Sequence, residues 1–205
     1  DFYAPGQYDL AGFAVGVAER SRIIDGTAEK PGDRLIGLAS SGLHSNGYSL
    51  ARKVVFEVMG LKVGDPLPGL GKSVADELLT PTRIYVGPVL ELLKAVPVRA
   101  VAHITGGGLT GNLPRVFPAG CKAIIERGAW TVPPIFTLIR DNGKIDEAEM
   151  FRTFNMGIGL VLVVAREHAD QCGGLLTSLG ETALIIGEVQ AGSGGVEYVG
   201  GGAAR

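Results

Sequence analysis

The chain has 205 residues, is 46% hydrophobic and carries a formal net charge of -2. That length can bury a sizeable core without disulfide or metal staples, and the apolar content excludes a disordered polyelectrolyte. Near-neutral charge with no Lys/Arg-rich run removes the electrostatic basis for binding nucleic acid or an anionic membrane, and the longest apolar run, GIGLVLVVA from Gly157, is too short to span a bilayer.

In chain order, the opening DFYAPGQYDLAGFAVG has no signal-peptide pattern and reads like the interior of a longer protein. Tyr8 to Ala18 is expected as a strand. The connector SRIIDGTAEKPGD contains the turn signals Asp25-Gly26 and Pro31-Gly32, and a domain boundary is placed in it. Arg34 to Ser40 is a buried strand. Tyr48 to Met59 has helical spacing through Leu50, Val54, Val55 and Val58. A loop from Gly60 leads to a short helix over Ser73 to Leu79. Thr80-Pro81-Thr82 is expected to start another helix, with Thr80 as cap, Pro81 at the first helical position, and a kink or split at Pro88.

Val98 to Thr105 is a strand, followed by a glycine loop and a brief helix that Pro118 stops. CKAIIER is a strand, Pro133 to Arg140 and Asp146 to Arg152 are helices, and GIGLVLVV is a buried strand. A helix over Glu167 to Leu179 and the strands ALIIGEVQ and GVEYV complete the chain. Alternating strands and helices give an α/β (α+β) class with a mixed sheet covered by helices. Cys121 and Cys172 form no C-x-x-C pair, and two packed thiols in a reducing cytoplasm are expected.

Two motifs imitate nucleotide-binding signatures. PLPGLGKS ends like a P-loop, but Pro66 stands where the first glycine belongs and no strand precedes it. GGGLTG, Gly106 to Gly111, satisfies G-x-G-x-x-G after a strand, with Glu126 near the end of the next one. Pro114 and Pro118 leave its helix too short for a dinucleotide-binding crossover. His44, His103 and His168 lack chelating spacing, so no metal site is expected, and no G-x-S-x-G elbow supports a Ser-His-Asp triad.

Two loops hold the candidate chemistry. From Ser40 to Gly47 every residue except Leu43 is polar or glycine. A strand-to-helix turn of about two to six residues needs only one capping side chain. The loop lies at the carboxyl end of one element and the amino end of the next, where unpaired amides and side chains of His44, Ser45 and Asn46 could bind phosphate. Helix capping by Asn46 with His44 packed on the turn explains the same residues, and spacing alone does not choose. In HITGGGLTGNLPR, Gly106, Gly107 and Gly108 let amides converge on an anion. Thr105 and Asn112 add donors, and Arg115 adds a forked cation. A tight strand–helix junction with a surface arginine is the plain alternative. MFRTFNMGIG adds a polar break at Arg152, Thr153 and Asn155, which an ordinary helix–strand turn also explains.

The segments YDLAGFAVGV, IIDG, SSGLHSNGYSLARKV, LLTPTRIYV, AHITGGGLTGNLPRV and MFRTFNMGIG, in this order, resemble the aminoimidazole ribonucleotide synthetase (phosphoribosylformylglycinamidine cyclo-ligase) family of purine biosynthesis. The resemblance implies that residues 1–24 are the remnant of an amino-terminal ATP-binding and dimerisation domain, and that 25–205 are the carboxyl-terminal α/β domain. It implies ATP-dependent closure of formylglycinamidine ribonucleotide to aminoimidazole ribonucleotide, with Mg²⁺, in a cytoplasmic homodimer, by a chain expected to be inactive alone. Carried onto this chain, His44, Ser45 and Asn46 would line the substrate cleft, with His44 assisting proton transfer. Thr105 to Gly108 with Asn112 would face the transferred phosphoryl group, with Asn155 nearby. Another ATP-using enzyme of the same superfamily and a non-catalytic ligand-binding or dimerisation domain are the rival readings.

Overall fold

The apolar runs pair into one sheet in a computed structural model that describes residues 6–200. Its strands are β1 (Arg34–Ala39), β2 (Val98–His103), β3 (Cys121–Glu126), β4 (Ile158–Val164), β5 (Ala183–Ala191) and β6 (Val196–Val199). They lie in the order β2-β4-β1-β5-β3-β6. Every pairing is antiparallel except β3 with β6. The expected mixed α/β sheet is present. The helices are α1 (Tyr48–Arg52), α2 (Val74–Leu78), α3 (Val86–Leu92), α4 (Gly108–Asn112), α5 (Pro134–Gly143), α6 (Glu147–Thr153) and α7 (Ala169–Ser178).

β4 is buried along its whole length because helices cover both of its faces. From Leu160 onward its side chains alternate accordingly, and a register shift opposite Leu38 and Ala39 puts Ile158 on the face of Val161. Ile158, Val161 and Val163 join a large core with Leu35, Phe136, Ile139, Met150 and Phe154. Leu160, Leu162 and Val164 join a smaller core with Leu92, Cys172 and Leu176, on α3 and α7. Both cysteines are buried and free.

The pairing also decides where the loops go. β1 and β2 each run antiparallel to β4, from opposite sides. They therefore run parallel to each other, and their carboxyl ends meet at the amino end of β4. The loop after β1, the glycine loop after β2 and the turn before β4 share one edge of the sheet.

The structure corrects three expectations. No strand forms over Tyr8 to Ala18: the segment has no regular structure, and Tyr8, Leu10, Phe13, Val15 and Val17 are exposed. A strand needs a neighbouring strand for its backbone ladder, and the described sheet, β2-β4-β1-β5-β3-β6, places none beside that segment. The helix expected from Thr80 begins only at Val86. Pro88 sits in its first turn, where no amide is needed, and neither splits nor kinks it. Thr80 instead donates its hydroxyl to Asp76 O at the end of α2. The Tyr48–Met59 helix is α-helical only to Arg52 and widens over Lys53–Val58, where Met59 N–H donates to Val54 O.

Candidate functional site

The shared sheet edge brings the two sequence-predicted loops together. Asn46 Oδ1 lies 3.4 Å from the position a Cβ on Gly106 would take, and Arg115 Nη2 lies 3.8 Å from the corresponding point on Gly107. His44 and Gly107 thus belong to one end of the molecule. Neither the Gly106 nor the Gly107 amide donates to an acceptor among the described residues. Gly107 has φ 103, a conformation open to glycine. Arg115 is exposed, and no acidic partner for it is found among the described residues. Ser45 is exposed and Asn46 half-buried. A guanidinium, free amides, a side-chain amide and a hydroxyl suit an oxyanion.

Other predicted site residues face inward. Asn112 donates from Nδ2 to the carbonyls of Thr105, Gly106 and Gly108, and its Oδ1 accepts from Thr105 Oγ1 at 3.0 Å. Together they brace the glycine loop from behind. The Gly108 amide donates to Thr105 O. At φ 57, any Cβ on Gly108 would fall 2.0 Å from Phe151 O, so the loop is seated directly on α6.

Asn155 is also consumed by the fold. It is 3% exposed. Its Nδ2 donates to Gly42 O at 2.9 Å and Leu43 O at 3.2 Å, while Oδ1 accepts from Gly157 N–H at 2.8 Å and Ser40 Oγ at 3.0 Å. This one side chain ties the loop after β1 to the turn before β4.

His44 is 4% exposed and holds φ 58. Its Nε2 accepts the amides of Ser41 at 3.1 Å and Arg83 at 3.5 Å, and Nδ1 is enclosed without a partner. The ring lies against Tyr85, and both crowd the space over Gly159, where a Cβ would come within 2.4 Å of the imidazole. Burial, with a smaller contribution from His103, lowers its pKa to about 4. The imidazole is therefore neutral at pH 7, with neither nitrogen open to a ligand.

Sequence reasoning passed over the stretch from Thr80 to Arg83, which it assigned to a helix. Ser41 Oγ donates to Pro81 O, and Ser45 Oγ pairs with Thr82 Oγ1 at 2.8 Å. The Thr-Pro-Thr-Arg run carries a signal, since three of its four residues offer side-chain polar groups outside a helix.

Two cavities of about 270 and 340 Å³ share Ser40 and Pro133 on the flank of the first loop. Neither is lined by Asn46 or the glycine loop, so the convergence of Asn46, Gly106, Gly107 and Arg115 is not part of these two pockets. Among the described residues no group of three or more His, Cys, Asp or Glu side chains could hold a metal ion. No described helix is long and apolar enough to cross a membrane.

Residues 30–200 match the family described as AIR synthase related protein, C-terminal domain. The chain is 60% identical over 198 residues to a phosphoribosylformylglycinamidine cyclo-ligase of Citrifermentans bemidjiense and 58% identical over 198 residues to that of Geotalea daltonii. Each match covers 97% of this chain and 57% of the relative, so the chain spans a little over half the length of these proteins. Among solved structures, a thiamine-monophosphate kinase from Stenotrophomonas maltophilia shares the fold with TM-score 0.61 and 17% identity, over 91% of this chain and 56% of that one. The hydrogenase maturation protein HypE in complex with ATP shares it with TM-score 0.53 and 18% identity, over 85% and 50%.

Proposed function

Because the chain belongs to the AIR synthase related protein family through the C-terminal domain, we propose that it serves the ATP-dependent cyclisation of formylglycinamidine ribonucleotide to aminoimidazole ribonucleotide, as part of a longer enzyme. The relatives named above carry that ligase name, and they extend beyond the portion this chain matches. Dimerisation through that further portion, and a cytoplasmic setting, belong to the same proposal. ATP as co-substrate is supported by the ATP-bound HypE, a protein of the same fold.

In this reaction the formyl oxygen takes a phosphoryl group. The ring-forming nitrogen attacks the formyl carbon, the C–O bond breaks, phosphate departs with the electron pair, and the nitrogen gives up a proton. The chain's share is positioning and charge neutralisation. Arg115 and the amides of Gly106 and Gly107 face the oxygens of the ribonucleotide's own phosphate, and Asn46 orients the substrate from the neighbouring loop. Thr105, Gly108, Asn112 and Asn155 hold these donors in place, and the neutral His44 fixes the loop carrying Ser45 and Asn46. The expected Mg²⁺ finds no carboxylate among these residues, and no step is assigned to it.

The observation that carries the reading is the meeting of polar groups from two loops, with the Asn46 side-chain amide, through Oδ1, beside Gly106 and the Arg115 guanidinium, unpaired among the described residues, next along beside Gly107. Calorimetric titration of the chain with formylglycinamidine ribonucleotide, ATP and NAD in separate runs tests it. The ribonucleotide is expected to bind and NAD to give no heat. The outcome against it is NAD binding with a silent ribonucleotide. The dinucleotide reading lacks its long helix, since α4 has five residues, and its parallel strand pair, since β2 pairs β4 antiparallel.

A further inference from the structure

The Thr80–Arg83 strap has no regular structure, yet it is clamped from both sides. On one side Ser41 Oγ donates to Pro81 O at 2.6 Å, and the Arg83 amide donates to Nε2 of His44. On the other, Arg83 Nε donates to Glu181, whose side chain is 3% exposed, at 2.7 Å, and Nη2 donates to Gly180 O. These contacts suffice to hold the strap. They fix Thr82, whose hydroxyl points at Ser45 with 2.8 Å between the oxygens.

That pair has spare capacity. Two hydroxyls bring two protons and four lone pairs. The bond between them uses one proton and one lone pair, and neither oxygen has another partner among the described residues. One O–H donor and several acceptor positions are left at a surface where Ser45 is exposed and Thr82 half-buried. Ser45 adjoins Asn46, which touches Gly106, and Arg115 follows beside Gly107. The donors thus form one row, charged at the Arg115 end and neutral at the Thr82 end. A dianion suits the first end. The second, which both donates and accepts, matches the hydroxyls of a sugar.

We propose that the Thr82–Ser45 hydroxyl pair recognises the ribose hydroxyls of a sugar phosphate whose phosphate rests on Gly106, Gly107 and Arg115. Thr82 then determines specificity by separating a sugar phosphate from bare phosphate. This deepens the proposed function and rests on its anion site.

The test titrates ribose 5-phosphate and inorganic phosphate into the chain and into its Thr82→Val, Thr82→Ser and Ser45→Ala variants, with affinities read by NMR. Thr82→Val keeps the side-chain volume and removes the hydroxyl. It is expected to weaken ribose 5-phosphate about five- to tenfold, the scale of one hydrogen bond, and to leave inorganic phosphate unchanged. Thr82→Ser should restore sugar-phosphate affinity. If Thr82→Val loses its fold, Ser45→Ala removes the other hydroxyl and carries the same expectation. Equal weakening of both ligands, or no weakening of either, overturns the inference while leaving the anion site standing. Binding of neither ligand by the unaltered chain overturns the site itself, and the inference with it.

Discussion

Asn155→Ala removes the side chain that joins the loop after β1 to the turn before β4, and its cost can be worked from the bonds it leaves behind. Four groups lose a partner: Gly42 O, Leu43 O, Gly157 N–H and Ser40 Oγ. Ser40 Oγ and Gly42 O still have each other at 3.0 Å. Leu43 O and Gly157 N–H are then orphaned in an interior where Leu43 is 2% exposed. A buried unsatisfied polar group costs about 1–3 kcal/mol, so the substitution should destabilise the chain by about 4 kcal/mol. Asn155→Asp keeps both acceptor bonds and turns the two donations into contacts between a carboxylate and carbonyl oxygens. It should cost no less at pH 7. Urea unfolding followed by circular dichroism measures both, with an unchanged m-value identifying a native-state effect. A loss below about 1 kcal/mol would refute the view that Asn155 is a structural clamp, and would return its side chain to the list of groups free for a ligand.

Three more outcomes follow from the same packing. Gly108→Ala places a Cβ 2.0 Å from a backbone carbonyl at φ 57, whereas Gly111, in the same helix, has nothing within 4 Å. The first change should lower stability by at least about 2 kcal/mol, and the second should raise it by up to about 1 kcal/mol, read as opposite shifts in Tm. His44, with its pKa held near 4, favours the fold fully above its ordinary value of 6.5, and that contribution is lost as pH falls toward 4. Wild-type stability should therefore drop by up to about 3 kcal/mol across this window in urea titrations, and His44→Gln should flatten the drop. Glu29, with both carboxylate oxygens buried and unpartnered, has its pKa raised from 4.5 to about 8, by burial first and then by Asp33. Its linkage has the opposite sign: the contribution is complete below pH 4.5 and is lost as pH rises toward 8. Glu29→Gln should thus raise stability at pH 8 while changing little at pH 4, and equal effects at both values would contradict the assignment.

The sheet was legible because long apolar runs such as Ile158 to Val164 admit little but a strand covered on both faces. What periodicity does not carry is pairing. That β1 and β2 flank β4 and aim their loops at one edge comes from contacts between distant segments, with Leu38 opposite Leu160 and His103 opposite the same residue. The candidate site was half legible for a related reason. A glycine-rich loop with Asn, Thr and Arg has the same composition whether its side chains bind a ligand or bind the fold. Asn46 and Asn155 are chemically identical, yet Asn155 is used up by carbonyls 112 and 113 residues away, while Asn46 stands over Gly106. His44 shows the same ambiguity, since an imidazole that accepts two backbone amides and one that moves protons are indistinguishable until the ring's neighbours are known. The Thr80–Arg83 strap was misread because Thr-Pro is a favourable helix start. Its tertiary bonds to Ser41, His44 and Ser45 outweigh that local preference.

Phosphate binding at the joint of the two loops is the claim on which the functional account stands. Inorganic phosphate titrated into the ¹⁵N-labelled chain should move the amide resonances of Asn46, Gly106 and Gly107 along one common saturation curve, and Arg115→Gln should weaken that curve about tenfold. Silent resonances at these residues at saturating phosphate, or shifts gathered instead around another part of the surface, would contradict it.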